Sequence, residues 1–377
     1  MNVFPIVEWT ENGRAHVARW RSEGGATPPS RIVVADDRIK ADTAYRLVCE
    51  GTAILWRGDY HNARQLLQAL SRRIERKRDK RERRAAPTPA QAFHQYRLAQ
   101  SQRARTLGML LLPVDAGHRV PLGRAPDVRE ACTEAYGSAD EPYVLSLREL
   151  LGVVGAFEWR RRGVAIPALG ASVHPHYGVF SPIRGEYLDL VARAPLPALG
   201  TAFDIGTGTG VIAAILAHRG VRRVVATDCA PRALACAREN LQRLGLSDKV
   251  AVVEADLFPE GKASLAVCNP PWIPARAGSA LESAVYDPDS RMLNGFLNGL
   301  TTHLEPGGEG WLILSDLAEY LGLRTRQALL DAFDAAGLVV IDRLDTRPRH
   351  RRASEPDDPL HAARAAETTS LWRLKPR

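Results

Sequence analysis

Asn269-Pro270-Pro271-Trp272 combines two hydrogen-bond acceptors with a flat apolar face. An amide or a base amine has a delocalised lone pair and attacks a methyl sulfonium poorly while flat. The Asn269 side-chain carbonyl and the Pro270 backbone carbonyl can each accept from an N–H of such a nitrogen. Two acceptors hold it facing the methyl group and stabilise positive charge as it develops. Proline supplies its acceptor on a restricted backbone without a competing donor. Asn269 and Pro270 are therefore the candidate catalytic residues. Pro271 and Trp272 are candidate substrate contacts, the indole offering a face for a planar group. No strong base is required, because the proton can leave after transfer.

A second constellation lies upstream, in Phe203-Asp204-Ile205-Gly206-Thr207-Gly208-Thr209-Gly210. A strand that feeds a glycine-rich turn lets the backbone approach a ligand closely. Gly206, Gly208 and Gly210 are expected to line a cofactor. The position three after Gly208 is Val211, which weighs against a dinucleotide. A carboxylate at Asp204 suits a cationic group, such as the amino group of a methionine moiety, better than a pyrophosphate. Asp228, at the end of a second strand, can accept both hydroxyls of a ribose, or serve as an N-terminal charge for the helix that follows. Asp256 can accept from an adenine amino group while Leu257 packs on the ring.

These motifs need strand ends at one edge of a sheet. From about residue 185 onward strands and helices alternate. Strands are predicted at Thr201–Ile205, Arg223–Thr227, Val250–Glu254, Leu265–Cys268, Gly310–Leu314, Leu338–Leu344 and Thr369–Leu374, and helices at Val211–Arg219, Pro231–Leu244, Asp289–Leu304 and Arg324–Ala336. That alternation implies a mainly parallel α/β sheet. Upstream, short strands are expected at Arg31–Ala35 and Thr52–Arg57, and helices at Asn62–Arg84, Ala90–Arg105 and Val144–Arg161. Residues 107–142 read as loop-rich, and Gly163–Phe180 as a hairpin. Three parts result: a basic substrate-recognition domain over 1–142, a helix and hairpin linker over 143–184, and a catalytic domain over 185–377.

The 377 residues are 45% hydrophobic and 25% charged, as in a globular protein. No apolar run approaches the roughly 18 residues of a membrane span. The N-terminus lacks the pattern of a signal peptide, so a cytoplasmic location is expected. Five scattered cysteines argue against a disulfide framework and a zinc site, and read as small buried hydrophobes. His94, His174 and His176 have no matching ligands nearby, so no metal is expected. The segment Asn62–Thr106 holds 13 Lys/Arg against 3 Asp/Glu, whereas the remainder holds 38 against 40. This localised excess suits contact with phosphate backbone, or is a solvated helix face. Phe93 and Tyr96 can stack on bases, or belong to a core.

Residues 200–275 resemble the class I methyltransferases with an N-P-P-[YFW] motif. The wording is most similar to release-factor and ribosomal-protein glutamine methyltransferases, through Asp204–Gly210, Asp228, Ala255–Phe258 and Asn269–Ile273. Gly178-Val179-Phe180-Ser181 resembles the segment before the "small-domain" rRNA guanine methyltransferases. The resemblance implies a Rossmann-like seven-stranded sheet, mostly parallel with an antiparallel last strand, preceded here by a mixed, partly helical domain. It also implies S-adenosyl-L-methionine as cofactor, held by the glycine loop, Asp228 and Asp256, with Asn269 and Pro270 on the target amide. The expected reaction is methylation of a planar nitrogen, first a glutamine amide of a translation-related protein. The alternative is an exocyclic base amine of rRNA or another nucleic acid; a small-molecule acceptor or a non-catalytic RNA-binding protein ranks below. A ribosome-associated protein or RNA is the expected partner. Three departures stand out: Trp272 replaces Tyr, Tyr286–Arg291 lacks a Glu-Pro element, and an insertion spans Asp345–Glu367 with Arg347, Arg349, His350, Arg351 and Arg352. The resemblance covers about half the chain.

Overall fold

The structure is a computed structural model, in which residues 5–81, 88–183, 185–278, 282–348 and 358–377 are described. The chain divides into two compact units, Met1–Pro87 with His94–Glu158 and Thr88–Phe93 with Trp159–Arg377. Residues 143–184 thus contribute to both. Among the described residues no helix is long and apolar enough to cross a membrane.

The first unit contains β1 (Ile6–Glu11), β2 (Arg14–Trp20), β3 (Ile32–Ala35), α1 (Ala41–Cys49), β4 (Ala53–Trp56), α2 (Tyr60–Arg81), most of α3 (Pro89–Leu107), β5 (Leu110–Val114), α4 (Arg129–Tyr136), β6 (Tyr143–Ser146) and most of α5 (Leu147–Arg162). Its six strands pair in the order β1-β2-β6-β5-β4-β3. The β1–β2 turn is Asn12-Gly13, both at positive φ (52° and 75°), the dipeptide a tight hairpin demands. Ala53–Trp56 and Leu110–Leu112 are buried because these strands are interior to the sheet. Two expectations are corrected here. Residues 107–142 hold a strand and a helix rather than loop alone. Val144 pairs in β6, so the helix begins at Leu147. Phe93, at 1% exposure, belongs to a core, the second of the two readings its sequence left open.

The second unit contains β7 (Val164–Ile166), β8 (Ala171–Val173), α6 (Glu186–Arg193), β9 (Thr201–Ile205), α7 (Val211–His218), β10 (Arg223–Asp228), α8 (Pro231–Arg243), β11 (Val250–Glu254), β12 (Ala263–Cys268), α9 (Arg291–His303), β13 (Leu304–Ser315), α10 (Leu317–Tyr320), α11 (Arg326–Ala335), β14 (Leu338–Thr346), α12 (His361–Ala366) and β15 (Thr369–Pro376). β7 and β8 form the expected hairpin. The seven main strands run β11-β10-β9-β12-β13-β15-β14. The first five are mutually parallel, and β15 is antiparallel to both neighbours. This is the seven-stranded, mostly parallel sheet with an antiparallel last strand that the resemblance implied.

The central strands bury both faces, and alternate residues supply them. Ala202, Val224, Leu265 and Ile313 join one core with α6 and α7. Phe203, Ile205, Ala266 and Leu312 join the other with α9 and α11. α7 is apolar all round because it is buried nearly all round, as Val211–Ala217 are.

Candidate active site

Strand register brings the sequence motifs together. Ile205 of β9 lies beside Thr227 of β10 and beside Cys268 of β12, so Gly206, Asp228 and Asn269 leave the sheet at one level. Asp228 in turn lies beside Glu254 of β11, with Asp256 two residues beyond. Ligands of open parallel sheets bind outside these carboxyl ends.

Gly206, Gly208 and Gly210 all take positive φ (72°, 55° and 80°). Gly206 is also constrained by space: an added Cβ would lie 2.3 Å from the Met292 methyl of α9. Asp204 is buried beneath the turn. Its Oδ2 accepts from the Thr207 hydroxyl (2.6 Å) and from the Ala213 N–H (3.0 Å), tying the loop to the start of α7. Its Oδ1 is buried and has no hydrogen-bond partner among the described residues. Burial pushes the Asp204 carboxyl up to about 6, with the Asp228 charge adding to the rise and the two hydrogen bonds opposing it. An unsatisfied buried carboxylate oxygen fits a cationic amino group, as a methionine moiety carries.

Asp228 is half-buried and braces the same turn. Its Oδ2 accepts from Gly208 N–H (3.0 Å) and its Oδ1 from Ala230 N–H (2.9 Å), just ahead of α8. Each oxygen keeps a lone pair for a ribose hydroxyl. Asp256 is exposed and ion-paired to Arg291 at the start of α9. Leu257 holds a φ of 78°, rare for a branched side chain. Its carbonyl accepts from the Thr227 hydroxyl (2.6 Å). Its side chain is so close to Gly295 of α9 that an added Cβ would sit 2.4 Å from it. α9 therefore abuts both the glycine loop and the third strand end.

The buried Tyr187 hydroxyl of α6 lies close to the Asn269 amide. The Trp272 indole N–H donates to Asn269 Oδ1 (2.9 Å). This fixes which way the amide points, and one Oδ1 lone pair remains. Trp272 thus also orients Asn269, besides offering a half-buried face. Pro270 is buried and Pro271 half-buried.

Sequence reasoning missed Tyr187 and Asp287. Tyr187 lies on a short helix upstream of the glycine loop and meets Asn269 only through the fold. Asp287 is buried, and its carboxylate accepts from Met292 N–H (3.0 Å) and Leu293 N–H (3.1 Å), capping α9. Its backbone pairs with Ile273, directly after the Asn269–Trp272 motif (2.9 Å). Asp287-Pro288 ahead of an apolar helix was the available signal. Asp289 and Ser290 follow at positive φ.

His174 and His176 are structural. The His174 ring contacts the Arg160 carbonyl (2.7 Å), and the His176 ring contacts Glu239 (2.8 Å), whose carboxyl is held down to about 2 by Arg243, His176 and Arg160 against its burial. Three cysteines are buried, but Cys49 and Cys229 are exposed, unlike the expectation for all five. Among the described residues no cluster of His, Cys, Asp and Glu is placed to hold a metal. In the basic segment Arg73 pairs with Asp42 and Arg103 with Glu75. Arg83, Arg84, Arg349, His350, Arg351 and Arg352 lie outside the described residues.

Comparison with known proteins gives a consistent family. The profile described as "Methyltransferase small domain" matches residues 171–340. A release factor glutamine methyltransferase of Cereibacter sphaeroides is 34% identical over 184 residues, 44% of this chain and 63% of that protein. One from Moorella thermoacetica is 39% identical over 144 residues, 36% of this chain and 51% of that protein. A ribosomal protein L11 methyltransferase of Pelotomaculum thermopropionicum is 46% identical over 72 residues, 19% of this chain and 23% of that protein. The chain spans less than two thirds of the length of each of these curated relatives. Residues 171–340 are thus similar to the methyltransferase small domain, on a mostly parallel seven-stranded sheet with a glycine turn.

Proposed function

We propose that this protein is an S-adenosylmethionine-dependent N-methyltransferase acting on a glutamine side-chain amide of a translation-related protein. The observation that carries the reading is Asn269, held by Trp272 at the strand end beside the glycine turn. The similarity to glutamine methyltransferases supports it.

The cofactor, when bound, supplies an electrophilic methyl group on a sulfonium. Asp204 would pair with its amino group, Gly206, Gly208 and Gly210 would follow its backbone side, Asp228 would accept from the ribose, and Asp256 and Leu257 would receive the adenine. Arg291 must then release or share Asp256, which an exposed ion pair permits at small cost. Asn269 Oδ1 and the Pro270 carbonyl would accept from the target amide N–H groups. Held in this way, the amide nitrogen would face that methyl group, and one amide proton would pass to solvent after transfer. Both acceptors gain strength as the nitrogen becomes positive, which is the condition for lowering a barrier.

Asn269→Ala should lower kcat by about a hundred-fold or more, with cofactor affinity little changed, as for loss of one charge-stabilising group. Retained activity would sink the assignment. The acceptor class follows from labelled-cofactor incubation with lysate lacking the protein. Label that resists RNase and yields to protease supports the amide; the reverse supports a base amine.

A further inference from the structure

α2 buries one face and charges the other. Ala63, Leu66 and Leu70 recur at helical spacing and are buried. On the opposite side His61, Arg64, Gln65, Gln68, Arg72 and Arg76 are all exposed. Arg64, Gln68, Arg72 and Arg76 follow one another at four-residue intervals, so they form one row along the helix. A rise of about 1.5 Å per residue makes that row about 18 Å long. Core packing accounts for the apolar face but not for the row. Arg72 and Arg76 are like charges four residues apart, which oppose helix formation rather than assist it.

The row keeps its charge. Tyr60–Arg76 and α3 together hold seven arginines and one acidic residue. Arg73 pairs with Asp42, and the single acid, Glu75, is taken by Arg103. Arg64, Arg72 and Arg76 have no ion pair among the described residues. In the sequence the run continues over Lys77–Arg84 with six basic and two acidic residues, which adds to the charge.

The chemistry of this face selects its partner. A folded protein partner brings an apolar centre to its contact and needs one in return, yet all six exposed side chains here are polar. A phosphodiester backbone needs none. It presents negative charge at regular intervals, and each guanidinium fork can take two phosphate oxygens. The row of three arginines and a glutamine carries no ring for a base to stack on, so its grip follows backbone charge and not base sequence.

We infer that the exposed row of α2 is a nucleic-acid contact surface that binds the phosphodiester backbone without sequence preference. It belongs to the first unit and uses none of the methyl-transfer residues, so it does not depend on the acceptor assigned above.

The test is titration of the full-length protein, without cofactor, against fluorescent RNA and DNA of about 20 nucleotides, from about 50 to about 200 mM salt. Wild type should bind two unrelated sequences with similar Kd, and log affinity should fall linearly with log salt. In the triple variant Arg64→Gln, Arg72→Gln, Arg76→Gln the slope should lessen by about 2 to 3, each phosphate contact contributing about 0.7 on a single strand and about 0.9 on a duplex. Affinity near 0.1 M salt should drop about ten-fold or more. The corresponding lysine triple variant should keep most of the slope, since its charges remain. The Kd for S-adenosylhomocysteine should stay at the wild-type value in both. A glutamine variant with the wild-type slope overturns the proposal, as does wild type that binds neither RNA nor DNA. Polyglutamate of equal charge bound as tightly as RNA also overturns it, in favour of an acidic polypeptide. Tighter binding of RNA than of the same DNA sequence names RNA as the ligand through its 2′-hydroxyls, and equal binding names the shared backbone. The single variants Arg64→Gln and Arg76→Gln, each expected to lessen the slope by about 1, decide the matter if the triple variant does not fold.

Discussion

Asp204→Asn isolates one buried charge whose two consequences have opposite signs. Burial pushes the Asp204 carboxyl up to about 6 from its ordinary 3.8. Between those values the folded protein keeps a proton that the unfolded chain has released. The stability associated with this group is therefore full below pH 3.8 and lost as pH rises through about 6. The loss amounts to about 3 kcal/mol at neutral pH, at 1.36 kcal/mol per tenfold change in proton affinity. Asparagine carries no charge to bury, and its oxygen can still accept from Thr207 and Ala213. Urea titrations of both proteins from pH 4 to pH 7.5 should show wild type losing ground to the variant as pH rises. Cofactor binding should move the other way. An ionised Asp204 attracts the amino group, whereas the asparagine amide presents N–H donors to it. The Kd for S-adenosylhomocysteine should rise roughly 10- to 150-fold in the variant, for a charge-assisted hydrogen bond of about 1.5–3 kcal/mol. Wild-type affinity should improve from pH 5 to pH 7.5 as the carboxyl ionises, and the variant's should not. A stability difference that is flat with pH would refute the burial argument, and equal affinities would refute the pairing with the amino group.

Other outcomes follow from the same geometry. Trp272→Phe removes the indole N–H that orients Asn269 but keeps an aromatic face. It should cut kcat about ten-fold with unchanged cofactor Kd, the effect of one lost neutral hydrogen bond; wild-type kcat would show that the bond does not orient the amide. Tyr187→Phe removes a hydroxyl close to the same amide and should act in the same direction, its effect not multiplying with that of Trp272→Phe if both act through Asn269. Asp287→Ala removes the acceptor for the first N–H groups of α9 and should cost about 2 kcal/mol, or about 4–8 °C in Tm. Because Met292 of that helix abuts Gly206, cofactor affinity should fall too; a variant with lower Tm and unaltered affinity would separate the helix from the pocket.

The glycine turn, the acids at two strand ends and Asn269–Trp272 were readable from the sequence because each sits where a strand stops. Local pattern marks such places: an apolar strand run, then glycine, proline or a carboxylate. The β1–β2 hairpin was missed although Asn12-Gly13 is a strong turn signal, because the alternation around it is weak and half-exposed. Residues 107–142 read as loop because their proline, glycine and aspartate punctuate a short buried strand and an eight-residue helix. Periodicity over so few residues cannot outweigh that punctuation.

Asn269 with Pro270 carries the proposed chemistry that was legible in the sequence alone: acceptors for a planar nitrogen, on a sheet whose alternating pattern places them beside a glycine turn. Residue types and spacing suffice there, because backbone carbonyls and glycine conformations are local properties. The tertiary structure decided how that motif is held. Tyr187 reaches Asn269 from a helix more than eighty positions upstream, Met292 and Leu257 wedge α9 against the loop, and Asp204 is buried with one oxygen unsatisfied. Those relations depend on which distant side chains share a desolvated space, and burial, not sequence spacing, sets the strength of each charge and hydrogen bond there.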